Sequence, residues 1–165
     1  MKELLDKLSS YNIFNYLLPG ILFCIILKSF TKYDFTQENI IIGAFLYYFI
    51  GLIVSRIGSL TLEPLLQKTK FVEFAKYTDF ITASKKDAKI ETLSEVNNMY
   101  RTICSLLLLT LIMKLYEWLS SKVDFLNDYS LHILIILLIG LFLFSYRKQT
   151  DYVRNSVIKN IENDR

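Results

Sequence analysis

Residues Thr102–Met113 read TICSLLLLTLIM, 12 positions without an Asp, Glu, Lys or Arg. Whether this run crosses a lipid bilayer decides the fold of the whole chain. Longer uncharged runs stand around it, at Leu8–Leu27, Asn39–Ser55 and Tyr129–Tyr146. A hydrocarbon core about 30 Å thick takes roughly 20 apolar helical residues, with a range of about 17–25, so those runs reach the required length directly. The central run is short, but Leu115, Tyr116, Trp118 and Leu119 complete it when Lys114 snorkels its ammonium group to the headgroups.

Charge supplies the independent argument. Of the 19 Lys and Arg residues, Lys2 and Lys7 precede the first run, eight lie between the second and third, and five follow the fourth. The short connections hold only Lys28, Lys32, Lys114 and Lys122. Cytoplasmic loops are enriched in Lys and Arg. Four crossings gather 15 of the 19 on one side, with both termini cytoplasmic, whereas three would export either the tail or the basic centre. The sequence therefore predicts an all-α, polytopic membrane protein with four transmembrane helices and a small helical cytoplasmic cap. The chain of 165 residues is 53% hydrophobic and 15% aromatic, which a soluble domain of this length rarely combines with several uncharged runs. Tyr33, Tyr116, Trp118, Tyr129 and Tyr146 flank the runs, as an interfacial aromatic belt should.

Residues 1–12 predict an amphipathic cytoplasmic helix, with Leu4, Leu5 and Leu8 on one face, and residues 13–66 the first two spans. The start is not read as a cleaved signal peptide, because Glu3 and Asp6 dilute its positive charge and no small-x-small site follows. Pro19 predicts a kink one turn earlier, at Asn12–Asn15, because proline removes a backbone donor. The second helix runs on through Arg56 and Leu60 until Pro64. Residues 67–101 form the cytoplasmic segment, in which Phe71, Phe74, Phe80 and Ile81 follow helical spacing. Ser84-x-x-Asp87 has the form of a helix start. From there Ile90, Leu93, Val96, Tyr100 and Ile103 predict one long helix from about Lys85 to Leu119. Residues 102–146 hold the last two spans, and the final helix continues into the tail, 147–165, through Val153, Val157 and Ile161.

Enzyme chemistry is not written in the chain. No GxGxxG, GxxxxGK[ST], HExxH or GxSxG occurs, and His132 is the single histidine. Cys24 and Cys104 sit at membrane depth without a CxxC pair and read as apolar filler. The expectation is a protein that is not an enzyme and takes no metal or cofactor.

Three sets of residues carry the functional expectations. Polar groups at membrane depth are costly unless they pair or face water. Asn12 and Asn15 on the first span, with Thr102, Ser105, Leu109 and Met113 on the third, predict a pathway polar at its cytoplasmic mouth and apolar further out, where a hydrophobic constriction closes by dewetting. Gly43, Tyr47, Gly51, Ser55 and Ser59 recur every four residues. Such a small-residue face lets helices approach closely in lipid, either within one protomer or as a protomer–protomer seam. Lys85, Lys86, Lys89, Arg101, Arg147 and Lys148 form a basic inner surface suited to anionic lipid or a small anionic ligand. Interleaved Asp79, Asp87, Glu91 and Glu95 dilute it, so extended nucleic-acid binding is not expected. The partners expected are the lipid bilayer, further copies of the chain, and a cytoplasmic protein or nucleotide signal.

With segments Asn15–Gly20 and Arg56–Glu63 in its layout, the chain resembles the small four-helix bacterial membrane effectors of anti-phage defence systems. That resemblance covers the layout of the whole chain and carries over no residue roles. It implies a homo-oligomeric pore or ion channel in the cell inner membrane that disturbs membrane potential when a partner system signals infection, which is an antiviral defence role. The competing readings are a non-conducting anchor or scaffold that recruits a cytoplasmic partner, and a small-molecule exporter. The exporter lacks the internal repeat and mid-membrane charge that such proteins carry.

Overall fold

The computed structural model describes residues 12–163, and within them every regular element is helical. The predicted amphipathic helix at 1–12 lies almost wholly outside the described residues. A π-helical turn, Ile13–Leu17, leads into α1, Leu18–Phe30. Helix α2 spans Ile40–Ile57, a second π-helical turn covers Gly58–Leu62, and the short α3 follows at Glu63–Lys68. Helix α4 is Tyr77–Ser84, α5 is Lys89–Ser120, α6 is Asp124–Asp128 and α7 is Ser130–Asn163. Four helical stretches are long and apolar enough to cross a membrane: Ile13–Phe30, Ile40–Lys68, Lys89–Ser120 and Ser130–Ile161.

Both π-helical turns have the same cause. Pro19 and Pro64 each sit at the second position of the helix that follows. A proline ring clashes with the carbonyl four residues back and donates no hydrogen bond. Inserting one residue widens the turn and relieves the clash. Leu18 N–H accordingly reaches back five residues to Ile13 O, and Glu63 N–H five residues to Gly58 O. The irregularity thus falls where Pro19 predicts it. Pro64, in contrast, does not end its helix, because the widened turn carries the chain past it.

Helices α1, α2 and α5 form the compact core. Phe23, Leu27, Val54 and Leu106 are buried at its centre, with Ile50, Leu109 and Met113 packed against them. The tightest contact is between α1 and α2, and it is reciprocal. A Cβ on Gly20 would lie 1.8 Å from Tyr47 O, and a Cβ on Gly51 would lie 1.8 Å from Tyr16 O. Two glycines, one on each helix, therefore let the backbones touch, and the edge-on pair Tyr16–Tyr48 at 5.5 Å closes the crossing beside them.

Helix α7 is different. Only 6% of its most apolar stretch is buried, against 39% for the first span. Phe49 stacks on Phe142 with centroids 6.0 Å apart, and beyond that ring pair α7 is held mainly at its polar half. There α4 docks on it, with the Tyr77 and Tyr152 rings 4.7 Å apart and the Tyr77 and Ser156 hydroxyls 3.1 Å apart. Lys85 Nζ donates to Asn160 Oδ1 on the same face.

The two ends of the bundle carry different loops. At one end Lys32 N–H donates to Glu117 Oε1 at 2.8 Å and Lys28 pairs with Asp34 at 2.8 Å, which brings the 31–39 loop against the end of α5. The Lys28 ammonium and the Thr36 hydroxyl hold the Asp34 carboxyl down at about 2. The Tyr116 hydroxyl meets Leu126 O at 2.9 Å and Ser130 Oγ at 2.8 Å at this same end. The chain therefore alternates up and down, and the lysine- and arginine-rich connections share the opposite end.

Between α3 and α5 the chain departs from the sequence expectation. Ser84 does not start a helix: its hydroxyl donates to Ile81 O at 3.2 Å and closes α4. Asp87 Oδ1 accepts from Lys89 N–H at 2.9 Å, so the cap lies one turn later and α5 begins at Lys89. Phe71 and Phe74 lie in an irregular, exposed stretch, reached through Lys70 at φ 58°.

The Gly51 contact yields a direct test. Gly51→Ala must push the two backbones apart, and overpacking of this kind costs about 1–3 kcal/mol. Gly51→Ala is expected to lower the unfolding midpoint in detergent, while Gly140→Ala, whose Cβ would meet nothing within 4 Å, leaves it no lower. Equal midpoints for the two variants would contradict the α1–α2 contact.

Candidate functional site

The second π-helical turn positions a charged joint. Ser59 and Glu63 lie one turn apart on the face that α2 and α3 turn toward α5 and α7. Gly58 brings α5 close, since a Cβ there would lie 2.2 Å from Ser105 Oγ. Across that close approach, Glu63 Oε2 accepts from Arg101 Nη1. Its other oxygen, Oε1, pairs with Lys148 Nζ at 3.0 Å. Lys148 Nζ also donates to Ser59 O and Ser59 Oγ, each at 2.8 Å. One carboxylate thus joins three helical segments: its own, α5 through Arg101, and α7 through Lys148.

The side chains of Glu63, Arg101 and Lys148 are 13%, 16% and 24% exposed. At that depth removing one partner costs more than a surface ion pair is worth, because the remaining charge is left poorly solvated. Arg101 Nε is buried without a hydrogen-bond partner among the described residues.

Beyond the joint, toward the bundle interior, runs a line of buried polar side chains. The hydroxyls of Ser55 and Thr102 meet at 3.2 Å between α2 and α5. Thr102 Oγ1 also bonds Asn98 O at 2.8 Å, Ser105 Oγ donates to Arg101 O at 2.7 Å, and Thr110 Oγ1 to Leu106 O at 2.9 Å. These hydroxyls satisfy themselves on their own helix one turn back. Asn15 is 1% exposed, and its Oδ1 has no partner among the described residues.

The structure brings together some of the residues singled out in the sequence and reassigns others. Asn15, Thr102 and Ser105 are buried within one chain, Leu109 and Met113 pack on its core, and Asn12 is partly buried. Helices α1, α2 and α5 close over Asn15 and Thr102, while Ser105 and Leu109 line a small cavity with Ile57, Leu65 and Leu108. The residues expected to line a pathway are thus gathered in and around the three-helix core of one chain. The four-residue stripe is likewise occupied within the chain. Gly51 meets Tyr16, Ser55 meets Thr102, and Ser59 meets Lys148. Gly43 packs on Tyr47 and Gln37, and Tyr47 OH accepts from Gln37 N–H. That face is therefore packed within one chain, the first of the two readings its spacing allows. The basic set divides: Arg101 and Lys148 share the one carboxylate of Glu63 and Lys85 is engaged by Asn160, while Lys86, Lys89 and Arg147 stay exposed. A six-residue anion site is therefore not assembled. The two cysteines are free, Cys24 buried and Cys104 exposed. His132 is exposed, with its ring 5.8 Å from that of Tyr129.

Glu63 is the residue that sequence reasoning missed, since it entered there only as the end of the segment Arg56–Glu63. Its signal was present: Gly43, Tyr47, Gly51, Ser55, Ser59 and Glu63 continue one four-residue period. An acid at the end of a buried helix face asks for a cationic partner. No family model, no curated protein and no solved structure matches this chain.

Glu63→Ala strips the counter-charge from two partly buried cations. The expected loss of stability is about 3 kcal/mol, measured by detergent unfolding. Adding Lys148→Met to Glu63→Ala should recover part of it; single and double variants with strictly additive losses would show that the two groups are uncoupled.

Proposed function

We propose that this protein is a homo-oligomeric membrane channel or pore-forming effector, gated from the cytoplasmic side and acting in bacterial anti-phage defence. In this reading the basic end faces the cytoplasm, in line with the excess of Lys and Arg there, and both termini lie on that side of the inner membrane. The chain is not an enzyme in this reading.

The observation that carries the proposal is the asymmetry in packing. Three spans form a closed core, and the fourth has 6% of its apolar stretch buried. A path for ions does not pass through the core of one chain, since its polar side chains are packed shut. It lies between copies, where the loosely held α7 supplies the variable surface. Helix α7 is tied to the core through Lys148 and to α4 through Tyr152 and Ser156. A cytoplasmic protein or nucleotide acting on α4 therefore pulls on the half of α7 that lies outside the membrane, with the Glu63 joint as pivot. The small helical cytoplasmic cap of this reading is α4 together with the polar halves of α5 and α7.

The alternative is a non-conducting anchor or scaffold that recruits a cytoplasmic partner. The closed three-helix core favours it. Expression with a membrane-potential dye, paired with flux from proteoliposomes holding the purified chain, decides between them. Depolarisation and flux that change on Lys148→Ala are expected. Sealed vesicles and an undisturbed potential, with and without a cytoplasmic partner, would leave the anchor.

A further inference from the structure

Helix α7 presents two faces of different kinds. Lys148, Tyr152 and Ser156, four residues apart, hold it to its own chain. On another side Ile136, Ile139, Leu143, Tyr146, Thr150, Val153 and Val157 follow one another at spacings of 3, 4, 3, 4, 3 and 4. The six apolar members are between 52% and 75% exposed, and Thr150 is exposed as well. An alternation of three and four is the period of a coiled-coil seam. At 1.5 Å per residue the line is roughly 30 Å long.

Its position matters as much as its period. The neighbouring exposed side runs Leu137, Phe144, Asp151 and Ile158, and takes on a charge at Asp151, just past Arg147 and Lys148, as a lipid-facing surface does where lipid ends. The seam does not: Val153 and Val157 continue it into the polar half, 55% and 52% exposed. Lipid covers only the part from Ile136 to Leu143, and a soluble protein only the part beyond Tyr146. A single occupant for the whole line must itself pass from membrane to water at the same depth and with the same period. The α7 of another copy meets that description, in the parallel orientation a shared membrane imposes.

We propose that the a/d line of α7, from Ile136 to Val157, is the assembly interface, and that its partner is α7 of a second copy of this chain. Membrane helices pack in this left-handed, coiled-coil-like way. Thr150, the one hydroxyl-bearing aliphatic position within the line, donates to Tyr146 O at 2.9 Å and so brings no unsatisfied group to the seam. Gln149 and Arg154 flank the seam on opposite sides, so a parallel partner places an amide rather than a like charge opposite the guanidinium. The inference rests on the homo-oligomer part of the function proposed above and adds the surface.

Cysteine cross-linking of the full chain in native membranes tests it. On a Cys24→Ala, Cys104→Ala background, single cysteines replace Ile139, Leu143, Val153 and Val157 on the seam, and Leu137, Phe144, Asp151 and Asn155 off it. Disulfide-linked dimer is expected at least about five-fold higher on the seam than off it, in both the membrane and the polar half. If the background fails to insert, Cys104→Ala alone replaces it, because Cys24 is buried. A flat pattern, or dimer confined to one half of the line, would overturn the assignment. Seam cross-linking in a chain that passes no ions keeps this interface and removes the channel. Ion flux with no seam pattern does the reverse.

Discussion

Backbone contact between α1 and α2 is the constraint on which the rest of this structure depends. In lipid there is no hydrophobic drive to bring two apolar helices together, so close packing must supply the attraction. Gly20 and Gly51 supply it by letting each helix touch the other's carbonyl groups at Tyr47 and Tyr16. Once that crossing is fixed, α5 fills the groove between the two helices with Leu106, Thr102 and Ser105, and Val54 and Leu27 are sealed at the centre. The same crossing fixes where α2 arrives at the basic end, and so where Ser59 and Glu63 are presented.

The two prolines extend the influence of that contact. Each is preceded by a π-helical turn in which one additional residue is accommodated. Such turns rotate the residues beyond them relative to a regular helix. The turn at Gly58–Leu62 carries the four-residue face past Pro64's missing donor and on to Glu63. The charged joint is therefore a consequence of backbone irregularity as well as of side-chain type. It ties α7 to a core that α7 otherwise scarcely touches, which is why a single carboxylate carries so much of the tertiary structure at that end.

Functional reading and packing meet in the contrast between the spans. Residues proposed from their polarity as a pathway, Asn15, Thr102 and Ser105, are the best-packed polar groups in the chain. Polarity at membrane depth marks a site that needs satisfaction, and here the chain's own backbone and neighbouring hydroxyls provide most of it. The least packed span, α7, instead presents a largely apolar surface with Thr150 within it. Its 3–4 spacing could be read in the sequence, but lipid-facing and protein-facing apolar residues look alike there. Only the position of the face relative to the docked side of α7 separates the two.

The sequence by itself determined the number of helical spans, their limits to within a turn or so, and the gathering of basic connections at one end. These follow from local hydropathy and charge, which each residue carries wherever it is placed. It also announced the irregularity before Pro19, because a missing backbone donor is a local fact. It misread Ser84–Asp87, since the same residue types close one helix and cap the next. What only the tertiary structure decided is which faces meet: that the four-residue stripe on α2 is occupied by Tyr16, Thr102 and Lys148 of the same chain, that Arg101 and Lys148 converge on Glu63, and that α7 stands apart. Those outcomes depend on crossing angles and helix rotation, set jointly by residues far apart in the chain, and no window of sequence holds them.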